Sequence, residues 1–179
     1  HLLIEDGIIR DLDARSSAPD AAVIDLEGRT VLPGLIDCHV HVVASMMDLA
    51  ANAQLPAPIA VLRSLPILRG MFERGFTTVR DLGGSTSAVI AVRDAVAEGR
   101  FPGPRIKVSG DPLSIIGGHA DPATALPPEL AAAVSGAQLS QGVCTGAQQC
   151  QEVVRKLAAA GVDVIKIMAT GGVLDPGAM

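Results

Sequence analysis

The sequence predicts an α/β protein built around a parallel sheet. From Val31 onward, short apolar runs of strand length alternate with longer segments of helical spacing, which is the pattern of repeated β/α units. The runs at 76–79 and 164–168 have no polar face, as is typical of parallel strands that are covered on both sides. The chain has 179 residues, of which 49% are hydrophobic, so one aliphatic core can form and a disordered chain is excluded. A closed barrel and an open doubly wound sheet both satisfy these observations.

The first 31 residues predict part of a small β-sheet. Strands are expected at 2–4, 8–12 and 23–26, with turns at EDG (5–7) and EG (27–28). Residues 32–179 predict the β/α units, with strands at 35–40, 76–81, 105–109 and 163–168 and helices at 59–74, 85–98 and 147–160. A domain boundary is therefore expected between residues 31 and 32.

The ends of the predicted helices carry recognisable signals. Ser85 or Thr86 can cap the first amide groups of the second helix, and Gly99 can end it in a left-handed turn. Gly161 ends the third helix in the same way. Pro66 lies inside the first helix and is expected to kink or split it.

Charge and aromatic content exclude a nucleic-acid binder. The chain carries 14 Lys and Arg against 19 Asp and Glu, a net charge of −5, and its only aromatic residues are three Phe. A negatively charged surface does not attract a phosphate backbone, and so few aromatic side chains offer no platform on which bases could stack. No uncharged stretch is apolar enough to predict a membrane span, so no membrane partner is expected.

The three cysteines predict a reducing, cytoplasmic location. Cys38, Cys144 and Cys150 contain no CxxC pair, and their odd number argues against a disulfide framework. Cys144 and Cys150 are therefore predicted to be packing residues. Because the chain begins at His1 rather than at Met, we expect that an N-terminal piece is missing, and export stays an alternative.

The sharpest chemical signal is the run LPGLIDCHVH at residues 32–41. His39 and His41 are two positions apart at the end of a predicted strand, so alternation places both imidazoles on one face. Cys38 and Val40 would then point the other way. Two imidazoles on one face suit a borderline metal ion such as zinc, and the alternative is a pair of partly exposed histidines in a loop.

Four segments, in this order, resemble the metal-dependent amidohydrolase superfamily. PGLIDxHxH (33–41) is similar to the first barrel strand of that superfamily and GFTTVRD (75–81) to the second. GGHAD (117–121) and IKIMATGG (165–172) resemble the branch of Xaa-Pro dipeptidases, related carboxypeptidases and imidazolonepropionase-like enzymes. The resemblance implies a TIM-type (β/α)8 barrel of which residues 32–179 supply the first four strands, the N-terminal half. It also implies that residues 1–31 are part of a composite flanking β-sandwich.

The same resemblance implies two divalent metal ions, with zinc the first choice, held by His39, His41 and Lys166. Lys166 would serve as a carbamate. Physical chemistry makes this reasonable, because a lysine buried in the middle of a strand has a lowered pKa, and a neutral amine can add carbon dioxide. The alternative is a lysine that extends from the strand end to water.

Three further residues are candidates at the same end of the sheet. The resemblance places His119 near the substrate, on the connection 110–146, whose length is typical of a functional loop. The alternative for His119 is a solvated or capping role. Arg80 and Asp81 close the second barrel strand and are predicted to form an ion pair that holds loops.

The expected reaction is hydrolysis of a C–N amide bond by a metal-activated water, in a dipeptide, a C-terminal peptide or a cyclic amide. The resemblance places two more histidines and the general-base aspartate on later strands, outside this chain. The expected partners are a small-molecule or dipeptide substrate, further copies in a homo-oligomer, and the remainder of the barrel from the same or another chain. The alternatives are a catalytically incomplete half-barrel that binds metal or serves as a structural module, and a doubly wound nucleotide-binding protein. The last is disfavoured because DLGGS (81–85), its nearest phosphate-loop candidate, lacks the lysine.

Overall fold

The computed structural model describes residues 1–12, 20–46, 51–52, 55–133 and 140–172. The chain divides into two compact units, His1–Pro33 and Gly34–Met179. In the first unit, β1 (Leu2–Glu5) and β2 (Ile8–Leu12) pair as an antiparallel hairpin, which confirms the first two predicted strands. The turn between them needs positive φ at Asp6 and Gly7, which explains its polar sequence.

Residues 23–26 were predicted as a strand, and this prediction is wrong. Val23 is 90% exposed and Ile24 82% exposed. Within the described ranges, no backbone ladder pairs with this segment, and an extended apolar run becomes a strand only when a neighbour satisfies its amide and carbonyl groups.

The second unit is a parallel sheet with helices, as predicted, but among the residues that the structure describes its sheet has three strands where four were predicted. Its strands are β3 (Leu35–Val40), β4 (Phe76–Asp81) and β5 (Arg105–Val108), in the order β3-β4-β5. Its helices are α1 (Ala57–Glu73), α2 (Thr86–Ala97), α3 (Pro128–Ala133) and α4 (Ala147–Ala160), with a 3-10 turn at Pro122–Ala125. The registers Asp37↔Val79 and Arg80↔Lys107 align the carboxyl ends of the strands.

The core is aliphatic and lies on one face of this sheet. Val79, Val108, Leu68 of α1 and Val89 of α2 are all fully buried there. The opposite face is open in the part of the chain that the structure describes, where Ile36 is 64% exposed. The prediction that the strands are covered on both sides is therefore not met within the described residues.

The predicted fourth parallel strand, 163–168, is an extended segment with a single β-bridge. Ile167 forms that bridge with Leu113, and the amide of Asp163 donates to the Val108 carbonyl at 2.8 Å. The segment therefore runs along β5 and its continuation with the predicted direction. It is not a regular strand, because its backbone meets β5 only at its start and the loop after β5 only near its end.

Helix α1 runs unbroken through Pro66, so the predicted split is wrong. Ser64 and Leu68, on either side of the proline, are both fully buried, and this packing holds the two halves together. The predicted stops are confirmed, since Gly99 has φ of +69° and Gly161 has φ of +90°.

The prediction that the side chain of Ser85 or Thr86 caps helix α2 is wrong. Ser85 is the N-cap residue but makes no side-chain cap bond. Instead the Asp111 carboxylate, from the loop after β5, accepts the Thr86 amide at 2.9 Å and its hydroxyl at 2.5 Å. Ser140 donates its hydroxyl to the other oxygen of Asp111 at 2.9 Å. A distant loop residue therefore supplies the cap that the local sequence assigned to Ser85 or Thr86.

Cys144 and Cys150, predicted to be packing residues, form a disulfide with a Cα–Cα distance of 5.2 Å. Cys144 precedes α4 and Cys150 lies in its first turn, so the chain brings them together although they form no CxxC pair. Disulfides are typical of oxidising compartments, so the cysteines do not support the reducing location inferred from them. Among the helices that the structure describes, none combines the length and the apolar character that a bilayer crossing needs.

Candidate metal centre

His39 and His41 lie side by side at the carboxyl end of β3. Their ring centroids are 5.4 Å apart and their planes are inclined by 64°, so both imidazoles are on one side of the strand as alternation predicts. Val40 packs against the core on the other side. Both histidines are exposed on the open face of the sheet, where a ligand can approach them.

The His41 ring is held against the turn that follows β4. Its Nδ1 lies 2.9 Å from the carbonyl oxygen of Gly83. A Cβ on Gly83 would be 3.2 Å from both Cε1 and Nδ1 of this ring, so a glycine permits the close approach. The sequence signalled this position only as part of the weak phosphate-loop candidate DLGGS.

Asp81 organises the same turn from beneath. It is fully buried, and its carboxylate accepts the Val42 amide at 2.6 Å and the Gly83 amide at 3.1 Å. Burial raises the pKa of Asp81 to about 6, because desolvation outweighs the two amide hydrogen bonds and the nearby His41. Asp81 thus fixes two backbone segments, the one that follows His41 and the turn that follows β4.

The predicted ion pair between Arg80 and Asp81 is wrong. Strand alternation sends the two side chains to opposite faces of β4, the exposed one and the buried one. Arg80 donates from Nε to the Cys38 carbonyl at 2.8 Å, and it makes no salt bridge with any residue that the structure describes. Arg80 therefore ties β4 to the strand of the histidines.

Lys166 acts electrostatically on His39. Partial burial and then the positive charge of Lys166 are the main causes that lower the pKa of His39, with His41 adding to them. Lys166 itself is half-buried rather than enclosed as predicted. Its position is fixed through its backbone, whose carbonyl accepts the Leu113 amide at 2.8 Å.

His119 lies on a loop that buried polar groups shape. The Asp121 carboxylate accepts the amides of Gly117 and Ala123 at 2.8 and 2.9 Å, and Asp121 is 3% exposed. The His119 ring packs on Gly172, where a Cβ would overlap the imidazole. The GGHAD and ATGG segments, far apart in sequence, therefore meet directly.

The structure thus brings the rings of His39 and His41 together, with the charge of Lys166 acting on His39, and it places the His119 ring against Gly172. Within the described ranges, no third His, Cys, Asp or Glu joins the two histidines in a cluster that could hold a metal ion. The two imidazoles are the nitrogen donors that the structure brings together at this candidate site. Gly83 and Asp81 are the supporting residues that the sequence did not assign to it.

Sequence comparison identifies the class of protein to which this site belongs. Residues 30–179 match the Amidohydrolase family, so the chain belongs to that family.

The chain is similar to two solved structures and to one curated enzyme. A prolidase solved with N-methylphosphonate-L-proline is 40% identical and superimposes with a TM-score of 0.80 over 98% of this chain and 43% of that one. A Xaa-Pro dipeptidase solved with methionine in its active site is 34% identical, with a TM-score of 0.80 over 97% of this chain and 43% of that one. An imidazolonepropionase of Klebsiella pneumoniae is 55% identical over 42 residues, 24% of this chain and 10% of that protein. The chain thus spans less than half the length of these relatives.

Proposed function

We propose that this chain is the amino-terminal part of a metal-dependent (β/α)8 hydrolase that cleaves a C–N amide bond. The observation that carries the proposal is the pair of imidazoles 5.4 Å apart at a strand end, with the charge of Lys166 acting on one of them. The parallel order β3-β4-β5 and the likeness to solved family members support the barrel. The remaining strands would come from the same polypeptide or from another chain.

The residues fit a divalent metal ion. His39 and His41 offer nitrogen donors on one face, and His41 Nδ1 meets a backbone carbonyl, which is the usual support of a metal-binding histidine. Members of this family generally bind divalent metals. A bound pair of zinc or similar ions would polarise the substrate carbonyl and supply an activated water for its hydrolysis.

The chain's own residues prepare the site for such ions. The lowered pKa of His39 favours its neutral imidazole, the form whose ring nitrogen has a free lone pair. Lys166 would bind as a carbamate, formed when the neutral amine adds carbon dioxide and releases one proton. That reaction replaces a cation by an anionic oxygen donor beside His39 and removes a charge that would repel a metal ion.

A dipeptide with a carboxyl-terminal proline is the substrate we favour. The solved relatives named above include a prolidase with a proline phosphonate and a Xaa-Pro dipeptidase. In such a substrate, water adds to the carbonyl carbon, the C–N bond breaks and the proline nitrogen leaves with a proton. His119, on its constrained loop, would contact the substrate rather than a metal ion.

The test is turnover by the intact protein after dialysis against chelator and reloading with zinc. Proline release is measured from a series of Xaa-Pro dipeptides, with the matching Xaa-Ala dipeptides as controls. We expect zinc-dependent release of proline and at least tenfold slower cleavage of Xaa-Ala. A zinc-loaded protein that cleaves neither series, nor a cyclic amide, would contradict the hydrolase and favour the metal-binding module.

A further inference from the structure

We propose that Asp81 is a positioning residue that sets the orientation of the His41 imidazole through the backbone of Gly83. This inference deepens the proposed function, since it rests on His41 as a metal donor. Asp81 does not touch the ring itself. It acts through the turn at residues 81–83, which links a buried carboxylate to an exposed imidazole.

The Asp81 carboxylate binds the two backbone segments that flank the contact between His41 and Gly83. One oxygen accepts the amide of Val42, directly after His41, at 2.6 Å, and the other accepts the amide of Gly83 at 3.1 Å. The strand end that carries the ring and the turn that receives it are thereby fixed to one side chain. Because Asp81 is fully buried, neither bond competes with water.

The fixed turn presents one acceptor to one ring nitrogen. The Gly83 carbonyl lies 2.9 Å from His41 Nδ1, and an oxygen acceptor there requires that Nδ1 carries the proton. Nε2 then holds the free lone pair on the far side of the ring. The same oxygen also limits ring rotation, since a turn about χ2 would break this hydrogen bond.

The absence of a side chain at residue 83 also contributes to the orientation of the His41 ring. A Cβ there would lie 3.2 Å from Nδ1 and Cε1 of His41 and 3.5 Å from Cγ of Pro112. The exposed ring therefore lies against the turn on its Nδ1 side. His39 provides the contrast, because no hydrogen bond from the described residues holds its ring.

The test is the tautomer of the neutral His41 ring in the metal-free intact protein, read by long-range 1H–15N NMR. The wild type is expected to show Nδ1 protonated and Nε2 unprotonated. In Asp81→Asn, one amide must face the NH2 group, the turn loses a hydrogen bond, and the two tautomers are expected to mix. Zinc binding should weaken by about 10- to 100-fold, as for other supports of metal-binding histidines.

The matched control is Asp121→Asn, which alters another buried carboxylate that accepts two backbone amides. It should leave the His41 tautomer unchanged. If Asp81→Asn does not fold, Gly83→Ala tests the same relationship by pressing a methyl group on the ring, and the same mixing is expected.

Each outcome decides the matter. A single wild-type tautomer in Asp81→Asn, or in Gly83→Ala when the former does not fold, would overturn the positioning role of Asp81. Mixing in the variant together with wild-type protein that binds no zinc would uphold that role and refute the proposed metal centre. Mixing in Asp121→Asn as well would show a general loosening of the fold and overturn the specific claim.

Discussion

Asp163 and Lys107 form a salt bridge, with 2.8 Å between the carboxylate Oδ1 and Nζ. The other oxygen of Asp163 accepts the Val108 amide at 3.0 Å and a guanidinium NH of Arg93 at 3.2 Å. One carboxylate therefore joins β5, helix α2 and the segment that continues to Lys166. Lys166 follows this ionic group by three positions.

Removing this carboxylate is expected to lower stability. Asp163→Asn loses two charge-assisted contacts and weakens a hydrogen bond to backbone, and we expect a loss of about 1 to 2 kcal/mol in the free energy of unfolding. Urea denaturation measures it. Asp94→Asn is the matched control, because Asp94 pairs with the same Arg93 but is half-exposed, and it should cost under about 0.5 kcal/mol. Equal losses in both variants would contradict the special role of Asp163.

The contribution of Asp163 should depend on pH in one direction. Burial raises the pKa of this carboxyl, but the hydrogen bonds from Lys107, Val108 and Arg93 outweigh burial and lower it overall. A lowered folded pKa adds stability that is complete above the unfolded value of about 3.9 and is lost as the pH falls through the folded pKa. The stability difference between wild type and Asp163→Asn should therefore shrink below about pH 4. A difference that grows in acid would contradict the sign.

The cap of helix α2 is supplied by the loop after β5. Asp111→Ala removes the acceptor of the Thr86 amide and hydroxyl and also frees Ser140, so we expect a loss of about 1 to 3 kcal/mol in unfolding free energy. Ser85→Ala is the control, since Ser85 makes no side-chain cap bond, and should change stability by less than about 0.5 kcal/mol. The reverse order of the two effects would show that the local cap operates in solution.

The contact of His119 with Gly172 predicts a coupled effect on catalysis. A methyl group in Gly172→Ala would displace the imidazole, and we expect kcat/KM for a Xaa-Pro dipeptide to fall about tenfold, about 1.4 kcal/mol. His119→Ala should have an effect of similar size, and the double variant should be no worse than the poorer single one. Steady-state kinetics of the wild type, the two single variants and the double variant measures this double-mutant cycle. Additive losses would mean that Gly172 does not act through His119.

Local patterns predicted much of this structure. Periodicity located three parallel strands and three helices, and the His-x-His spacing correctly placed both rings on one side of β3. Two of the failures depend on distant partners. Residues 23–26 have the composition of a strand but no neighbouring ladder, and the cap of α2 comes from Asp111, 25 residues beyond Thr86. The disulfide joins cysteines whose spacing carries no motif, because the turn into α4 brings them together.

The supporting residues of the site escaped prediction for the same reason. Asp81 was expected to pair with its neighbour Arg80, but alternation along β4 points it into the core, where it binds the amides of Val42 and Gly83. Only the parallel pairing of β3 with β4 brings these groups together. A single sequence shows which residues can bind a metal ion more readily than it shows which residues orient them.

The metal content of the intact protein tests the central claim most directly. Purified wild type, His39→Ala and His41→Ala are loaded with zinc, desalted and analysed for zinc per chain, with His119→Ala as the control. We expect two zinc ions per chain in wild type and in His119→Ala, and loss of at least one in each of the other two variants. Equal zinc content in all four proteins would contradict a metal centre at the end of β3.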